Sequence, residues 1–415
     1  MMQKIETQTV PDNPTAAPNR IASIDIYRGL VMFLMLLEMV HLDSLSRHRK
    51  LDTSLSELHR GFWSFIHFNT THVEWEGCSL HDLIQPSFTF LVGCALAFSI
   101  RKRIATGQSW GRMFLHALSR SFILIALGVL LRSLDSDRVV FRFDDTLCQI
   151  GLGYPFLFLI AMLPRMVTYA AIAIVLIGYW VAFTAYPTPP ETFDYAAVGV
   201  ASNWPNHHSG LEAHWNKNSN LAWAFDRWWM NLFPREKPFS HSDGGYATLS
   251  FIPTLATMLL GLVAGNWLRS DKSTGNKVTC FLVAIVVCWG LAWSVDWAQL
   301  CPIVKRLWTP TWVLWSGGWC FAFLLFFYLV SDLAGWQAWA FPLVVIGSNS
   351  IVAYVMAHTT AVFLEDRITA WLGPLWDATE ARFPHSTPVF VGSITFVIIW
   401  LILYWMNQRK IYVRI

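Results

Sequence analysis

Stretches of about 20 mostly apolar residues recur along the chain, and polar segments divide them. That is the length a helix needs to cross the hydrocarbon core of a bilayer. Such windows fall at 23–42, 83–100, 113–132, 146–164, 166–186, 247–268, 278–298, 310–331, 341–364 and 388–406. The pattern predicts an all-α polytopic membrane protein with about ten transmembrane helices. Pro86, Gly128, Pro253 and Gly347 interrupt these windows, and such breaks are tolerated where neighbours or a water-filled cavity satisfy the freed backbone groups. No internal repeat divides the apolar part, so 21–415 is expected to form one transmembrane domain. Residues 1–20 are polar and carry Pro11, Pro14 and Pro18, which predicts a disordered tail. Two polar segments, 43–82 and 187–246, are long and rich in His, Trp, Asn and Asp. Loops of that length are uncommon unless they serve a function.

Composition agrees with the pattern. Hydrophobic residues make up 54% of the 415 positions and charged residues only 14%. A soluble domain carries about 25% charged residues, so the partner implied for most of the surface is the lipid bilayer. The 23 tryptophans suit its interfaces. A net charge of +3 is too small to imply nucleic acid.

Basic residues set the orientation. Arg101, Lys102, Arg103 and Arg112 follow the second window, Arg165 the fourth, Arg269, Lys272 and Lys277 the sixth, and Arg409, Lys410 and Arg414 the last. With ten spans all of these fall on one side, which the positive-inside rule makes cytoplasmic. Both termini are then cytoplasmic, and 43–82 and 187–246 are extracytoplasmic. Of seven cysteines, Cys78 and Cys301 fall on the outer side, where a disulfide between them is open. No zinc pattern occurs, and no metal is implied.

Two clusters could carry chemistry. Residues 20–29 read R-I-A-S-I-D-I-Y-R-G, which puts Asp25 and Arg28 on one face at the start of a membrane helix. Glu38 lies deeper in the same window, and an intramembrane carboxylate is a functional candidate or a structural partner for an arginine. Residues 72–86 read H-V-E-W-E-G-C-S-L-H-D-L-I-Q-P. His72 stands ahead of the second window and Asp82 at its mouth. A histidine with a carboxylate partner can act as a general base or as a nucleophile that carries an acyl group.

The run H-x-x-W-x-G-x-x-x-x-D-L-I-x-P, followed by F-x-F-L-V-G, resembles the catalytic core of the heparan-alpha-glucosaminide N-acetyltransferase family and its bacterial relatives. D-I-Y-R-G at 25–29, R-S-F-I-L-I-A-L-G at 120–128, Q-I-G-L-G-Y at 149–154, D-G-G-Y-A-T at 243–248, L-W-T-P-T-W at 307–312 and G-S-N-S-I-V-A-Y at 347–354 are similar to family segments in the same order. The resemblance implies a bacterial inner-membrane acyltransferase that takes acetyl from cytoplasmic acetyl-CoA and delivers it to an extracytoplasmic sugar or glycan. The family's motif histidine and aspartate fall on His72 and Asp82. Under this reading Asp82 orients the imidazole, and Asn349 donates a hydrogen bond to the thioester carbonyl. Arg112, His116 and Arg120 hold the CoA phosphates. Glu38, Trp75, Asp226, Arg227 and Asp243 face the acceptor.

Two departures stand out. The family's first helix ends with an asparagine in a glycine-rich turn, where this chain has Leu37-Glu38-Met39-Val40-His41. The family's D-P-E-G motif has lost its proline, and Gly245 stands where its glutamate would be. A hydroxyl acceptor or another acyl donor therefore stays open beside the amine and acetyl. A transporter or flippase using Glu38 and Asp332 for ion coupling is the alternative function. Helix faces of small residues leave a homodimer open.

Overall fold

A computed structural model describes residues 21–413, so the polar tail at 1–20 and Arg414 lie outside the described residues. Those residues fold as helices, joined at one point by an isolated antiparallel bridge between Glu76 and Val304.

Seven helices are long and apolar enough to cross a membrane. They include α4 (Ile84–Ala105), preceded by a 3-10 turn at His81–Leu83, and α5 (Trp110–Arg132). They continue with α7 (Arg165–Ala185), α9 (Phe251–Arg269), α10 (Thr274–Trp297), α11 (Pro310–Phe327) and α16 (Thr387–Gln408). Two further windows are broken. Helix α1 (Ala22–Leu36) runs through a 3-10 turn and gives way to α2 (Leu42–Leu51) at a bend of 61°, where His41 takes a left-handed φ of 54°. Likewise α12 (Phe341–Ser348) breaks into α13 (Ser350–His358) at 68°. If each pair is one span the count is nine. The remaining window is α6 (Thr146–Ala161), apolar but only 16 residues long. At 1.5 Å per residue it reaches about 24 Å, short of the ~30 Å hydrocarbon core. Every apolar window predicted from the sequence is helical.

Between these helices lie α3 (Glu57–Thr70), α8 (Leu221–Trp229), α14 (Thr360–Trp371) and α15 (Gly373–Arg382). Side chains cap some of the helices: Asp145 accepts the amides of Leu147 and Cys148 at the start of α6, and Asn220 accepts that of Trp223 at the start of α8. The first helix is capped from a distance. Both oxygens of Asp332 accept backbone N–H groups at its start, from Ala22 at 2.9 Å and Ser23 at 3.1 Å.

Helices α4 and α9 form the centre. Most of α9 is buried, whereas α5, α7 and α10 expose Phe122, Ile174 and Val286 as lipid-facing helices do. The central pair touches backbone to backbone because its crossing points are glycine. A Cβ on Gly93 would lie 1.8 Å from the Met258 carbonyl oxygen, and one on Gly261 would lie 1.8 Å from that of Phe90. Backbone on both sides cannot yield as a side chain would. Gly261→Ala is therefore expected to destabilise the fold by about 3 kcal/mol or more, at or above the usual cost of overpacking. A thermal unfolding midpoint in lipid equal to that of the unaltered protein would refute the close approach.

The 187–246 segment folds back as a cap whose core is aromatic. Trp75, Tyr179, Phe183 and Trp215 are buried together with Cys301, Val304 and Leu307, and Phe183 stacks on Trp215 at 4.3 Å. Trp75, expected to face the acceptor, is thus used together with Trp215 to pack the cap onto the ends of the helices.

Candidate active site

Three segments meet at the N-terminal end of α4. The first is the loop 71–80. Gly77 takes φ +114° and donates its amide to the Ile303 carbonyl at 3.0 Å, so the loop is laid against the 300–309 turn. The second is that turn itself. Thr309 ties it, its hydroxyl donating to Pro302 O at 2.8 Å and accepting from Val304 N at 3.1 Å, and Pro310 then starts α11 at a position that needs no N–H. The third is the 3-10 turn that carries Asp82 into α4. Arg306 links loop to cap by donating to Gly244 O at 2.6 Å and Val73 O at 3.4 Å.

Asp82 is fully buried, and both its oxygens are occupied. Oδ2 accepts from Val73 N at 3.2 Å, Ser79 N at 3.1 Å and the Ser79 hydroxyl at 2.9 Å. Oδ1 lies 2.8 Å from His72 Nδ1 and 3.1 Å from the Lys305 ammonium. A buried charge needs such a partner, and Lys305 supplies the opposite one while itself buried. The helix N-terminus adds a favourable dipole.

This arrangement selects one tautomer of His72. A bare ring nitrogen 2.8 Å from a carboxylate oxygen would set two lone pairs against each other. The proton therefore belongs on Nδ1, donated to Asp82, which leaves the Nε2 lone pair free. The Lys305 nitrogen, 3.0 Å from the same Nδ1, is then a neighbouring charge whose hydrogen bond goes to Asp82. The His72 side chain remains 40% exposed at the mouth of the bundle. Desolvation holds its pKa below the ordinary histidine value. The Asp82 hydrogen bond and charge oppose that shift, and the Lys305 and Arg306 cations add to it. The imidazole is thus neutral at neutral pH, with its lone pair on Nε2. Nearby Cys78 is no rival nucleophile, since burial pushes its thiol up to about 12. Cys78 and Cys301 are both free thiols, not a disulfide.

The other residues singled out from the sequence sit elsewhere. Glu38 borders this site from the other side, with Oε1 3.3 Å from His81 Nε2. Trp75 is buried edge-to-face against Trp204, with Gly245 beside it where a Cβ would strike its ring. Asp226 is buried and accepts the Thr248 amide at 2.9 Å, and burial raises its carboxyl to about 7. Arg227 is exposed over the Trp223 ring at 4.9 Å, and Asp243 is fully exposed, 3.5 Å from His241. Asn349 is not brought to His72. Its amide nitrogen donates to Ile411 O at 2.9 Å and its oxygen accepts from Val413 N at 3.0 Å. Its neighbour Gly347 lies against Asp25 and Gly29, about 14–20 Å along the first helix from Glu38 by the rise per residue. An oxyanion donor beside His72 is thus not what this amide is placed to be.

Arg112 and His116 lie in the first two turns of α5, and Arg120 lies one turn further on, at the middle of that helix. Arg112 is exposed, and Arg120 donates to the Tyr154 hydroxyl at 3.1 Å. The N-terminal end of α5 follows directly from the Lys102–Arg103 end of α4. Arg112 and the Lys102–Arg103 pair therefore stand at the end of α4 opposite to His72, across a helix roughly 35 Å long. Arg269 joins the basic end, donating to the Ala97 carbonyl at 2.5 Å.

Comparison with known proteins adds relatives to this geometry. No protein-family model matches the chain. It is similar to heparan-alpha-glucosaminide N-acetyltransferase of Homo sapiens, 25% identical over 446 aligned positions that cover 97% of this chain and 61% of that protein. The mouse protein of the same name is 23% identical over 394 positions, covering 83% of this chain and 54% of that protein. The chain thus spans between 54% and 61% of the length of these two relatives. Their similarity along most of the chain supports a heparan-alpha-glucosaminide N-acetyltransferase-like family for this multi-pass membrane protein.

Proposed function

We propose that this relative of heparan-alpha-glucosaminide N-acetyltransferase is itself a transmembrane acetyltransferase. It moves an acetyl group from acetyl-CoA, bound from the basic cytoplasmic end, to a sugar or glycan acceptor on the extracytoplasmic side of a bacterial cytoplasmic membrane. The observation that carries the reading is the His72–Asp82–Lys305 cluster, with Nδ1 held by Asp82 and Nε2 free at the mouth of the bundle.

Two routes use the same atom. In one, Nε2 takes the acceptor's proton as the acceptor attacks the thioester carbon and the C–S bond breaks. In the other, Nε2 attacks that carbon, expels the CoA thiolate and holds the acyl group until the acceptor arrives. In both, Asp82 stabilises the charge on the ring. Arg112, His116 and Arg120 would hold the CoA phosphates, and Glu38, Arg227 and Asp243 would meet the acceptor. The transporter alternative is weakened because Asp332, one of its two carboxylates, has both oxygens engaged as a helix cap.

The test is release of free CoA from acetyl-CoA by the purified chain in lipid, with a panel of amino sugars and their hydroxyl analogues. Release that requires both acceptor and His72 is the expected result. His72→Ala, still binding acetyl-CoA, should lose at least about 10³-fold in turnover. A variant that keeps its turnover removes His72 from the reaction.

A further inference from the structure

A second histidine–carboxylate pair, Glu38 and His81, abuts the first, and the steps above give its histidine no role. Glu38 sits in the 3-10 turn Leu37–Val40, with its Oε1 3.3 Å from His81 Nε2. The His81 ring stands 4.3 Å from the His72 ring, centroid to centroid. Glu38, His81 and His72 therefore form a row. The two ends differ in access. His81 is nearly enclosed, whereas the Glu38 side chain is 54% exposed. Glu38 borders a small open cleft of about 40 Å³, lined also by Asp43, Asn69 and Thr70. The charged and titratable groups around the pair are His72, Asp82 and Lys305 at His81, and Lys305 and Asp43 at Glu38.

We propose that His81 is the base for the acceptor and that Glu38 positions it and conducts the proton to the cleft. This inference rests on the transfer reading above, and on its acyl-histidine route. Once His72 Nε2 carries the acyl group it has no lone pair to take a proton, so the second half-reaction needs another base. Nε2 of His81 faces Glu38 and donates to it, which leaves Nδ1 to accept. The acceptor's X–H bond breaks, and its electron pair forms the bond to the acyl carbon. The bond from that carbon to His72 Nε2 breaks, and its pair returns to the nitrogen. The proton arrives on His81 and leaves by way of Glu38 to the water of the cleft. The CoA thiolate released in the first half-reaction is protonated by water, and the proton delivered through Glu38 restores that water, so the sum is acetyl-CoA plus acceptor giving acetylated acceptor and CoA thiol.

Rapid-quench kinetics on the full chain in lipid separate the two halves. The wild-type protein should show a burst of CoA followed by slower turnover. Glu38→Gln and His81→Asn should keep the burst and lose at least tenfold in steady-state turnover, within the range a general base contributes. Imidazole in the buffer should restore turnover to His81→Asn, and the pH profile of Glu38→Gln should differ from that of the wild type. Wild-type turnover and an unchanged profile in both variants would overturn the relay. So would loss of the burst itself, which would place the pair in the first half-reaction, or turnover in the wild type with no burst, which would remove the need for a second base. Absence of any His72-dependent release in the wild type is a different result, and it removes the transfer reading together with the relay.

Discussion

Asp82→Asn should insert, fold and bind acetyl-CoA while turning over on the order of 10³- to 10⁴-fold more slowly. The asparagine oxygen can still accept the amides of Val73 and Ser79, so the loop keeps its shape. Its nitrogen then faces His72 Nδ1 and can only donate. The ring must answer with a lone pair on Nδ1, which moves the proton to Nε2. The nitrogen that should attack or accept now carries a hydrogen. Lys305, losing its carboxylate, turns its charge wholly toward Nδ1 and favours the same unproductive tautomer. Because acetyl-CoA enters from the far end of the bundle on this view, its binding should be nearly unchanged. CoA release beside a binding isotherm checks both halves of the expectation. Turnover within tenfold of wild type would mean that the tautomer does not matter, and would leave Asp82 a structural anchor.

Apolar windows locate the long membrane-crossing helices because a bilayer sets helix length, and length is written in sequence. They mark the break at 347–349, where α12 bends into α13, but not the bend between α1 and α2. The turn at His41 rests on a left-handed residue that is neither Gly nor Asn, so local chemistry carried no sign of it. The His72–Asp82 pair was legible for a related reason: the two lie ten residues apart across one loop and a helix start, and motif spacing preserves that relation. Lys305 was not, since it arrives from 233 residues away. A signal did exist in C-P-I-V-K-R-L-W-T-P, where Lys305 stands among apolar residues with no acid beside it. Such a lysine must find a carboxylate elsewhere, and the structure supplies Asp82. His81 was likewise overlooked because its partner Glu38 lies on another helix. The tryptophans of the cap are ambiguous in sequence. Tryptophan is both the best sugar platform and the largest core residue, and composition cannot separate the two. Burial does, for Trp75 and Trp215. Asn349 sat in a motif that broke a helix, which suggested chemistry, yet its amide fastens the segment after α16.

Lys305→Met tests whether the third member of the cluster acts on His72. In the wild type, desolvation together with the Lys305 and Arg306 cations holds the imidazole below its ordinary pKa against the pull of Asp82. Neutral ring is the active form, so the acid limb of the rate profile should lie below the ordinary histidine value of about 6.5. Taking away the ammonium removes one lowering contribution and leaves the Asp82 charge without a competitor. The His72 pKa must rise. Its charged form then persists to higher pH, and the acid limb moves in the alkaline direction. At pH 7 the rate should fall, by about tenfold for each unit that the pKa comes to exceed the pH. At a pH well above the new limb it should recover toward the wild-type rate. Recovery separates this effect from simple damage, since a misfolded site would not regain activity on raising the pH. The substitution is survivable for a physical reason. A buried carboxylate that loses its only cation costs about 3–5 kcal/mol, but here the imidazolium of His72 forms in its place and keeps Asp82 paired. The same substitution should therefore lower the thermal midpoint more at high pH, where His72 is neutral, than at low pH, where it is charged. An acid limb that stays where the wild type has it would show that Lys305 is only a counter-charge for Asp82.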